Sequence, residues 1–445
     1  MRSSAVSLTE MLQARDRRVA IQNKMLEGAS ADDTCLVCLT LNIAGEIKRT
    51  PMTLMLFRRG IREFDALGLE CTDHLIIDET TGSEAFWKVK GRGSDIKPML
   101  EEIEEAFPAA RLFDFDVLMP GHGKLSRAVS RRCLICGEPA ADCARSRKHG
   151  LEAVKKATGE LLRELCAEEL AQDAAGSLLD ELYTTPKPGL VDLMSNGAHK
   201  DMDVPLLEKS AGSLRQYFHD AALLGMDGCS MPELRERGLW AEQEMFKATG
   251  GINTHKGMVY SMGLLTAGMG KALTEPDPDR TLLDQVINNA SALACQDSDR
   301  QLAVSYDAPK TNGGNVLRKY GAKGATGEAA AGFPDAVYCA ERLRFYKEHE
   351  CELPGALAFC DSMARLEDTN LLHRGGKEGL EYAKSAAERI AALPEKDRPK
   401  ALAELDAEMI KRNLSPGGSA DMLALAYLFD RWEDICEGEY LQGEI

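Results

Sequence analysis

The chain has 445 residues, more than one ordinary hydrophobic core accommodates, so two or three domains are expected. Its 44% hydrophobic and 28% charged residues are those of a soluble globular protein, and a formal net charge of −17 argues against a broad nucleic-acid footprint. No stretch approaches the roughly 20 apolar residues of a membrane helix. The opening "MRSSAVSLTEMLQARDRR" lacks the apolar segment of a signal peptide, and thirteen cysteines spread along the chain then point to free thiols in a reducing cytoplasm.

Residues 7–27 read as a helix opened by Ser7 or Thr9. "TCLVCLTLNI" (34–43) reads as a buried strand, and "PMTLMLFRRGIREFDALG" as a helix with Pro51 at its start. "HLIIDETTGSEAFWKVKG" has the pattern of a hairpin around Thr81-Gly82-Ser83. "DIKPMLEEIEEAF" returns to helix, and "ARLFDFDVL" is a strand. Residues 133–149 form a cysteine-bearing loop. From about 150 onward strand signals vanish, and Leu, Ala, Glu, Lys and Met recur at helical spacing. The expected architecture is an α+β domain over 1–150, with a mixed sheet like that of nucleotidyltransferases, followed by a larger all-α domain over 151–445.

Residues two apart on a strand share a face, so Asp114 and Asp116 project together, opposite Phe113, Phe115 and Val117. Two such carboxylates repel unless a cation lies between them. A Mg²⁺ ion, bound by one or two carboxylates and substrate phosphates, is the candidate; a solvated edge strand is the alternative. Upstream, "GRGSD" (91–95) offers Gly93 and Ser94 as a turn whose N–H groups could approach phosphate. Nucleotidyltransferases combine a Gly-Ser turn and an acid-x-acid strand in this order, here with 19 residues between Ser94 and Asp114. Asp78 is a candidate third carboxylate. Lys124, Arg127, Arg131, Arg132, Arg145 and Arg147 follow the acids and could neutralise a pyrophosphate or triphosphate. Cys133, Cys136, Cys143 and His149 have the C-x₂-C-x₆-C-x₅-H spacing of a Cys₃His set and could hold a structural Zn²⁺. Cys35 and Cys38 form a second CxxC that points to no site.

In the helical part, six glycine-rich segments stand out: "PKPGLVD" (186–192), "GAHKDMD" (197–203), "GGINTHKG" (250–257), "YGAKGATGE" (320–328), "LLHRGG" (371–376) and "SPGGSADML" (415–423). Read as loops at helix ends, they are candidate anion sites. Lys187, Lys256 and Arg374 are candidate phosphate partners, with Gly417 and Gly418 as a backbone cradle. Asp192, Asp201, Asp203 and Asp421 are candidate Mg²⁺ carboxylates, and His199, His255 and His373 candidate proton carriers. Each loop alone is more often a helix C-cap than a site, but six in one helical domain point to one shared site.

At these residues the chain resembles two families. Residues 1–149 resemble the holo-citrate lyase synthases, phosphoribosyl-dephospho-CoA transferases, through "LNIAGEIK" (41–48), "RLFDFDVL", "GKLSR" and "RRCLICGEPAADCARSRKH", with Ala44 where that family commonly has proline. Residues from about 165 onward resemble the triphosphoribosyl-dephospho-CoA synthases through the six ordered segments. The resemblance implies a bifunctional fusion. Its second half would join ATP to 3′-dephospho-CoA with release of adenine, using Asp201, Asp203, His199 and His255. Its first half would transfer phosphoribosyl-dephospho-CoA to a serine of the apo acyl carrier protein of citrate lyase, releasing pyrophosphate. There Asp114 and Asp116 would bind Mg²⁺, Arg127 and its basic neighbours would hold pyrophosphate, and Asn42, Gly45 and Lys48 are further substrate-binding candidates. Two alternatives stand beside this reading: the same chemistry serving the malonate decarboxylase carrier, or a first domain that is a zinc-stabilised interaction module without chemistry. No nucleic acid or membrane partner is expected, and nothing in the sequence excludes a homo-oligomer.

Overall fold

Helix α1 (Leu8–Leu26) starts at a reciprocal cap: the Glu10 N–H donates to Ser7 Oγ at 3.3 Å while the Ser7 N–H donates to the Glu10 carboxylate at 2.8 Å. In the computed structural model, which describes residues 5–30, 33–127, 129–308 and 311–437, there follow β1 (Thr34–Leu41), α2 (Pro51–Asp65), β2 (Cys71–Glu79), β3 (Gly82–Lys90), α3 (Gly93–Ile103), a 3₁₀ turn (Pro108–Leu112), β4 (Phe113–Met119), β5 (Gly123–Lys124), α4 (Ala140–Ser146) and α5 (Leu151–Tyr183). The β2–β3 hairpin closes through Thr80 and Thr81, with Glu79 opposite Gly82.

The strand order is β2-β3-β1-β4-β5, and every ladder is antiparallel among the described residues. The α+β class stands, but the pairing is not mixed. Both helical crossovers, β1-α2-β2 and β3-α3-β4, bring the chain back in its original direction and skip one strand position. The strand that fills the gap runs the other way, giving two interleaved split βαβ units. Strand alternation then sorts the side chains. Cys35, Val37, Leu39, Ala85, Trp87, Val89, Phe113, Phe115 and Val117 join the core under α2 and α3. Leu36, Cys38 and Phe86 face Met25 on α1. The Cys35/Cys38 pair is thus split between the two faces; burial pushes the Cys38 thiol up to about 12.

The chain divides into two compact units between Cys166 and Ala167, whereas the change in periodicity lies near 150. The helical signal begins where α5 begins, but Leu162 and Leu165 of α5 belong to the core of the sheet unit, so packing places the division half-way along the helix.

The second unit contains, after the end of α5, helices α6 (Val204–Met226), α7 (Met231–Thr249), α8 (Lys256–Thr274), α9 (Leu282–Cys295), α10 (Ser298–Asp307), α11 (Asn312–Tyr320), α12 (Gly324–Ala330), α13 (Pro334–Glu348), α14 (Pro354–Arg365), α15 (Thr369–Ala391), α16 (Arg398–Lys411) and α17 (Gly417–Glu437). Helix α8 is apolar almost all round and buried over most of its length, the pattern of a central helix. No helix among the described residues is long and apolar enough to cross a membrane. Helices α6 and α8 cross at backbone contact: a Cβ at Gly225 would collide with the carbonyl of Ala267, and one at Gly270 with that of Ala222. Gly212, on the exposed side of α6, has nothing around it. Gly225→Val should therefore destabilise the protein by about 3 kcal/mol or more in urea unfolding, because the helices must part. Gly212→Ala should stabilise by about 0.5–1 kcal/mol; equal effects would contradict this packing.

Candidate active sites in the two units

Strand β4 is the key element of the first unit. Its Phe115 pairs with Leu39 of β1, while β5 pairs only with Leu118 and Met119. The Leu125 N–H reaches the Val117 carbonyl at 2.8 Å; at Phe115 no strand continues the ladder among the described residues, and two buried side chains close that edge. The Phe115 N–H donates to Glu104 at 2.7 Å, and Lys97 Nζ donates to the Phe115 carbonyl at 2.7 Å. Glu104 is only 2% exposed. Burial pushes its carboxyl up, opposed first by Arg131 and then by the Phe115 N–H and Arg127. It receives Arg131 at 2.6 Å and Arg127 in a short ion pair, and Arg131 extends to Asp114 at 3.2 Å. One buried acid thus fixes two arginines against the acid-x-acid strand.

Asp114 and Asp116 share a face, as alternation requires, on the α1 side of the sheet. Asp116 pairs with Lys124 at 2.5 Å; burial raises its carboxyl, and Asp114 adds to the rise. Asp114 opens on a cavity of about 1700 Å³. Eight basic side chains line it (Arg15, Arg18, Lys48, Arg111, Arg127, Arg131, Arg132 and Arg147) against four acids (Glu84, Glu104, Glu105 and Asp114). In a chain of net charge −17 this is a local reversal of sign, suited to a polyanion. Asn42 also lines the cavity, and Lys48 Nζ donates to the Ile43 carbonyl at 2.5 Å. Gly45 lies against Lys155, whose Cε a Cβ at Gly45 would meet at 2.7 Å.

The expected Gly-Ser turn lies elsewhere. Gly93 and Ser94 are the first turn of α3, on the opposite side of the sheet from the two acids. Gly93 is needed for packing, since a Cβ there would sit 2.9 Å from Val117 and 3.1 Å from Leu125. Asp78 lies on β2, three strand positions or about 14 Å from β4, and is held by Arg49 and by Ser83 at 2.8 Å. Arg145 pairs with Asp142 on the surface. The charge partner Glu104 carried no sequence signal; only the register of β4 and its edge at Phe115 identify it.

The cysteine segment is more structured than a loop. Arg132 bridges Pro139, the Cys133 N–H donates to the Glu138 carbonyl at 2.6 Å and the Ala140 N–H to the Arg131 carbonyl at 2.8 Å. Helix α4 follows and carries Cys143. The ligand atoms of Cys133, Cys136, Cys143 and His149 lie within 4.8 Å of one another. Cys133, Cys143 and His149 also line the cavity.

In the second unit the six glycine-rich segments adjoin one another, though not all are loops. "LLHRGG" lies within α15, which breaks at Gly376 (φ 60°). "SPGGSADML" opens α17, and "YGAKGATGE" spans the end of α11 and most of α12. Glycine there permits close approach of neighbouring segments. A Cβ at Gly189 would press on the Leu414 carbonyl and one at Gly257 on Asp421, whereas Gly324 and Gly376 lie beside Thr369 and Tyr320 and take left-handed φ values of 54° and 60°.

Several expected ligands have internal partners. Asp192 is buried and accepts the N–H groups of Lys187, Met194 and Ser195 at 2.8–2.9 Å. Asp203 caps α6 through the Leu206 N–H. Lys187 is buried, its Nζ on the Glu181 carboxylate at 2.5 Å, and Lys256 pairs with Glu242 at 2.7 Å. At Gly417 and Gly418 the anion at the start of α17 is the protein's own Asp368, which accepts the Ser419 N–H at 2.8 Å and its hydroxyl at 3.0 Å. Asp201 is 61% exposed and lies 4.0 Å from His199. Arg374 donates to the Ala198 carbonyl at 3.1 Å and to His199 Nδ1 at 3.4 Å, leaving the His199 Nε2 proton for Ser415 Oγ at 2.8 Å. Asp421 lies near Asp368 and Glu181, and burial together with those neighbours raises its carboxyl. His373 is exposed. His255 is buried, with Nδ1 2.8 Å from Ser210 Oγ. The second unit therefore presents two polar groupings: Glu181, Lys187, His255, Asp368 and Asp421 in one, and His199, Arg374 and Asp201 in the other.

Comparison with known proteins accounts for both units. Residues 6–165 match the family described as apo-citrate lyase phosphoribosyl-dephospho-CoA transferase, and residues 167–438 the family described as ATP:dephospho-CoA triphosphoribosyl transferase. The chain is 33% identical over 450 residues to Protein CitXG of Haemophilus influenzae, covering 96% of both chains. It is 29% identical to Protein CitXG of Leuconostoc mesenteroides subsp. cremoris over 96% of this chain and 97% of that one. It is 34% identical to the 2-(5''-triphosphoribosyl)-3'-dephosphocoenzyme-A synthase of Haemophilus ducreyi over 66% of this chain and 98% of that protein. The chain is thus a member of the fused CitXG family, a bifunctional transferase of citrate lyase maturation.

Proposed function

We propose that the second unit makes the substrate of the first. In the second unit the ribose 2′-hydroxyl of 3′-dephospho-CoA attacks the anomeric carbon of ATP. A new C–O bond forms as the bond to adenine breaks, the bonding electrons leave with the base, and the hydroxyl proton passes to a base of the enzyme. The grouping of Arg374, His199 and Asp201 supports this reading: it sets a cation for the triphosphate beside a carboxylate that favours an oxocarbenium-like transition state. His255, in the other grouping, is neutral. Burial and Lys187 pull it down to about 4, so it meets substrate as a hydrogen-bonding imidazole.

In the first unit the serine hydroxyl of an apo acyl carrier protein attacks the phosphorus nearest the transferred ribose. The Ser O–P bond forms as the P–O bond to pyrophosphate breaks, and the serine proton leaves to a carboxylate or to water. The observation that carries this reading is Asp114 opening on an arginine-lined cavity large enough for a coenzyme A derivative. Asp114 and Asp116 offer two carboxylates on one strand face, which fits Mg²⁺ with its remaining places filled by phosphate oxygens and water; the ion would neutralise charge at the phosphates. Arg127 and Arg131 are held by Glu104 to receive pyrophosphate. The thirteen free thiols suit a reducing cytoplasm.

Asp114→Asn and Asp116→Asn should each lower carrier modification by about 100-fold or more while adenine release from ATP and dephospho-CoA continues at the wild-type rate. Full carrier modification by both variants would leave the first unit a docking module. Running the assay with citrate lyase and malonate decarboxylase carriers separates the two clients, citrate lyase being expected.

His255 also makes a signed prediction for stability. Its native value of about 4 lies below the ordinary 6.5, so the fold favours the neutral ring. That contribution is complete above pH 6.5 and is lost as pH falls toward 4, amounting to about 3 kcal/mol. The difference in unfolding free energy between wild type and His255→Gln should shrink by that amount over this range in urea titrations. A pH-independent difference would contradict the assignment.

A further inference from the structure

We propose that Cys133, Cys136, Cys143 and His149 bind one Zn²⁺, and that this ion holds the arginine-bearing segment 131–147 in the wall of the first unit's cavity. Carrier modification then depends on zinc and adenine release does not. The functional half of the proposal rests on the assignment of the two activities above; the metal site stands on its own geometry.

All four donor atoms lie within 4.8 Å of one another. Cys136 Sγ is 3.5 Å from Cys143 Sγ and 3.2 Å from His149 Nε2. The sulfur–sulfur distance is far longer than the roughly 2.05 Å of a disulfide. It is close to the ~3.8 Å that separates two sulfurs bound tetrahedrally at about 2.3 Å from one zinc. Three soft thiols and an imidazole select zinc over the hard Mg²⁺ of the phosphate chemistry.

The backbone is shaped for the same end. Gly137, at φ 73°, turns the chain after the first two thiols, and its N–H donates to the Cys133 carbonyl at 3.2 Å. The Ile135 N–H donates to Cys133 Sγ at 3.5 Å. Cys143 comes from α4, and Arg147, left-handed at φ 48°, ends that helix and returns His149 to the cluster. Among the described residues from 129 to 150, Cys143 alone is buried. The segment therefore has almost no apolar core of its own, and a small module of this kind gains its order from metal. Arg131, Arg132 and Arg147 lie in the same segment and line the cavity, so the ion would act on phosphate binding through them.

The test uses the full-length protein without a histidine tag, purified in reducing buffer. Metal analysis should find close to one zinc per chain, and Co²⁺ in its place should give thiolate-to-cobalt charge-transfer absorption. Thiol alkylation read by mass spectrometry supplies an internal control, because Cys71, Cys136 and Cys295 are all exposed. Cys71 and Cys295 should label at once, and Cys136 only after a strong chelator is added. A Cys136→Ser/Cys143→Ser variant should lose zinc and carrier modification and keep adenine release. Absence of zinc, with Cys136 labelling as fast as Cys71 and Cys295, overturns the site. Bound zinc whose removal leaves carrier modification unchanged overturns its positioning role. Loss of adenine release from the untreated protein would instead strike the assignment of activities and leave the metal site intact.

Discussion

A buried carboxylate must find its cations inside the protein, and Glu104 shows how much follows from that constraint. It lies at the end of α3, beside the stretch of β4 that β5 does not cover. There it accepts the free N–H of Phe115 and binds Arg127 and Arg131. The open edge of the sheet is closed by the same contacts that draw the basic segment after β5 toward the acid-x-acid strand. Arg131 then spans Glu104 and Asp114. The buried acid thus fixes two of the cavity's eight basic side chains beside Asp114.

The second unit obeys the same rule with other residues. Lys187 is buried against Glu181, Asp368 occupies the start of α17, and Asp192 holds its own loop through three backbone N–H groups. Glycines stand where these charged groups or neighbouring carbonyls come too close for a side chain: Gly257 beside Asp421, Gly418 beside Asp368, Gly189 beside Leu414. The glycine-rich motifs are thus the packing counterpart of the buried charges. That explains why they adjoin in space although more than 200 residues separate the first from the last.

Patterns set by local geometry were legible in the sequence. Alternation placed Asp114 and Asp116 on one face, Ser7 and Pro51 marked helix starts, and the cysteine and histidine spacing marked a cluster that closes in space. What depended on tertiary pairing was not legible. "GRGSD" resembles a phosphate turn, yet Gly93 is small because Val117 and Leu125 pack on it. Crossover helices suggest parallel neighbours, but an inserted strand makes every pairing antiparallel. Asp203 caps α6 and Gly418 packs on the buried Asp368, contacts that the glycine and acid pattern alone did not reveal. Glu104 had no signal at all, since its role exists only once β4 has an open edge.

On the proposed function the two units divide the labour: the helical unit builds a triphosphoribosyl coenzyme intermediate, and the arginine-lined cavity of the sheet unit passes it to a protein hydroxyl. Intact-mass spectrometry of an apo acyl carrier protein incubated with this protein, ATP, Mg²⁺ and 3′-dephospho-CoA tests it most directly. The account predicts a carrier heavier by one phosphoribosyl-dephospho-CoA group on serine, with one adenine and one pyrophosphate released for each adduct. Accumulation of adenine and free intermediate beside an unmodified carrier would contradict it.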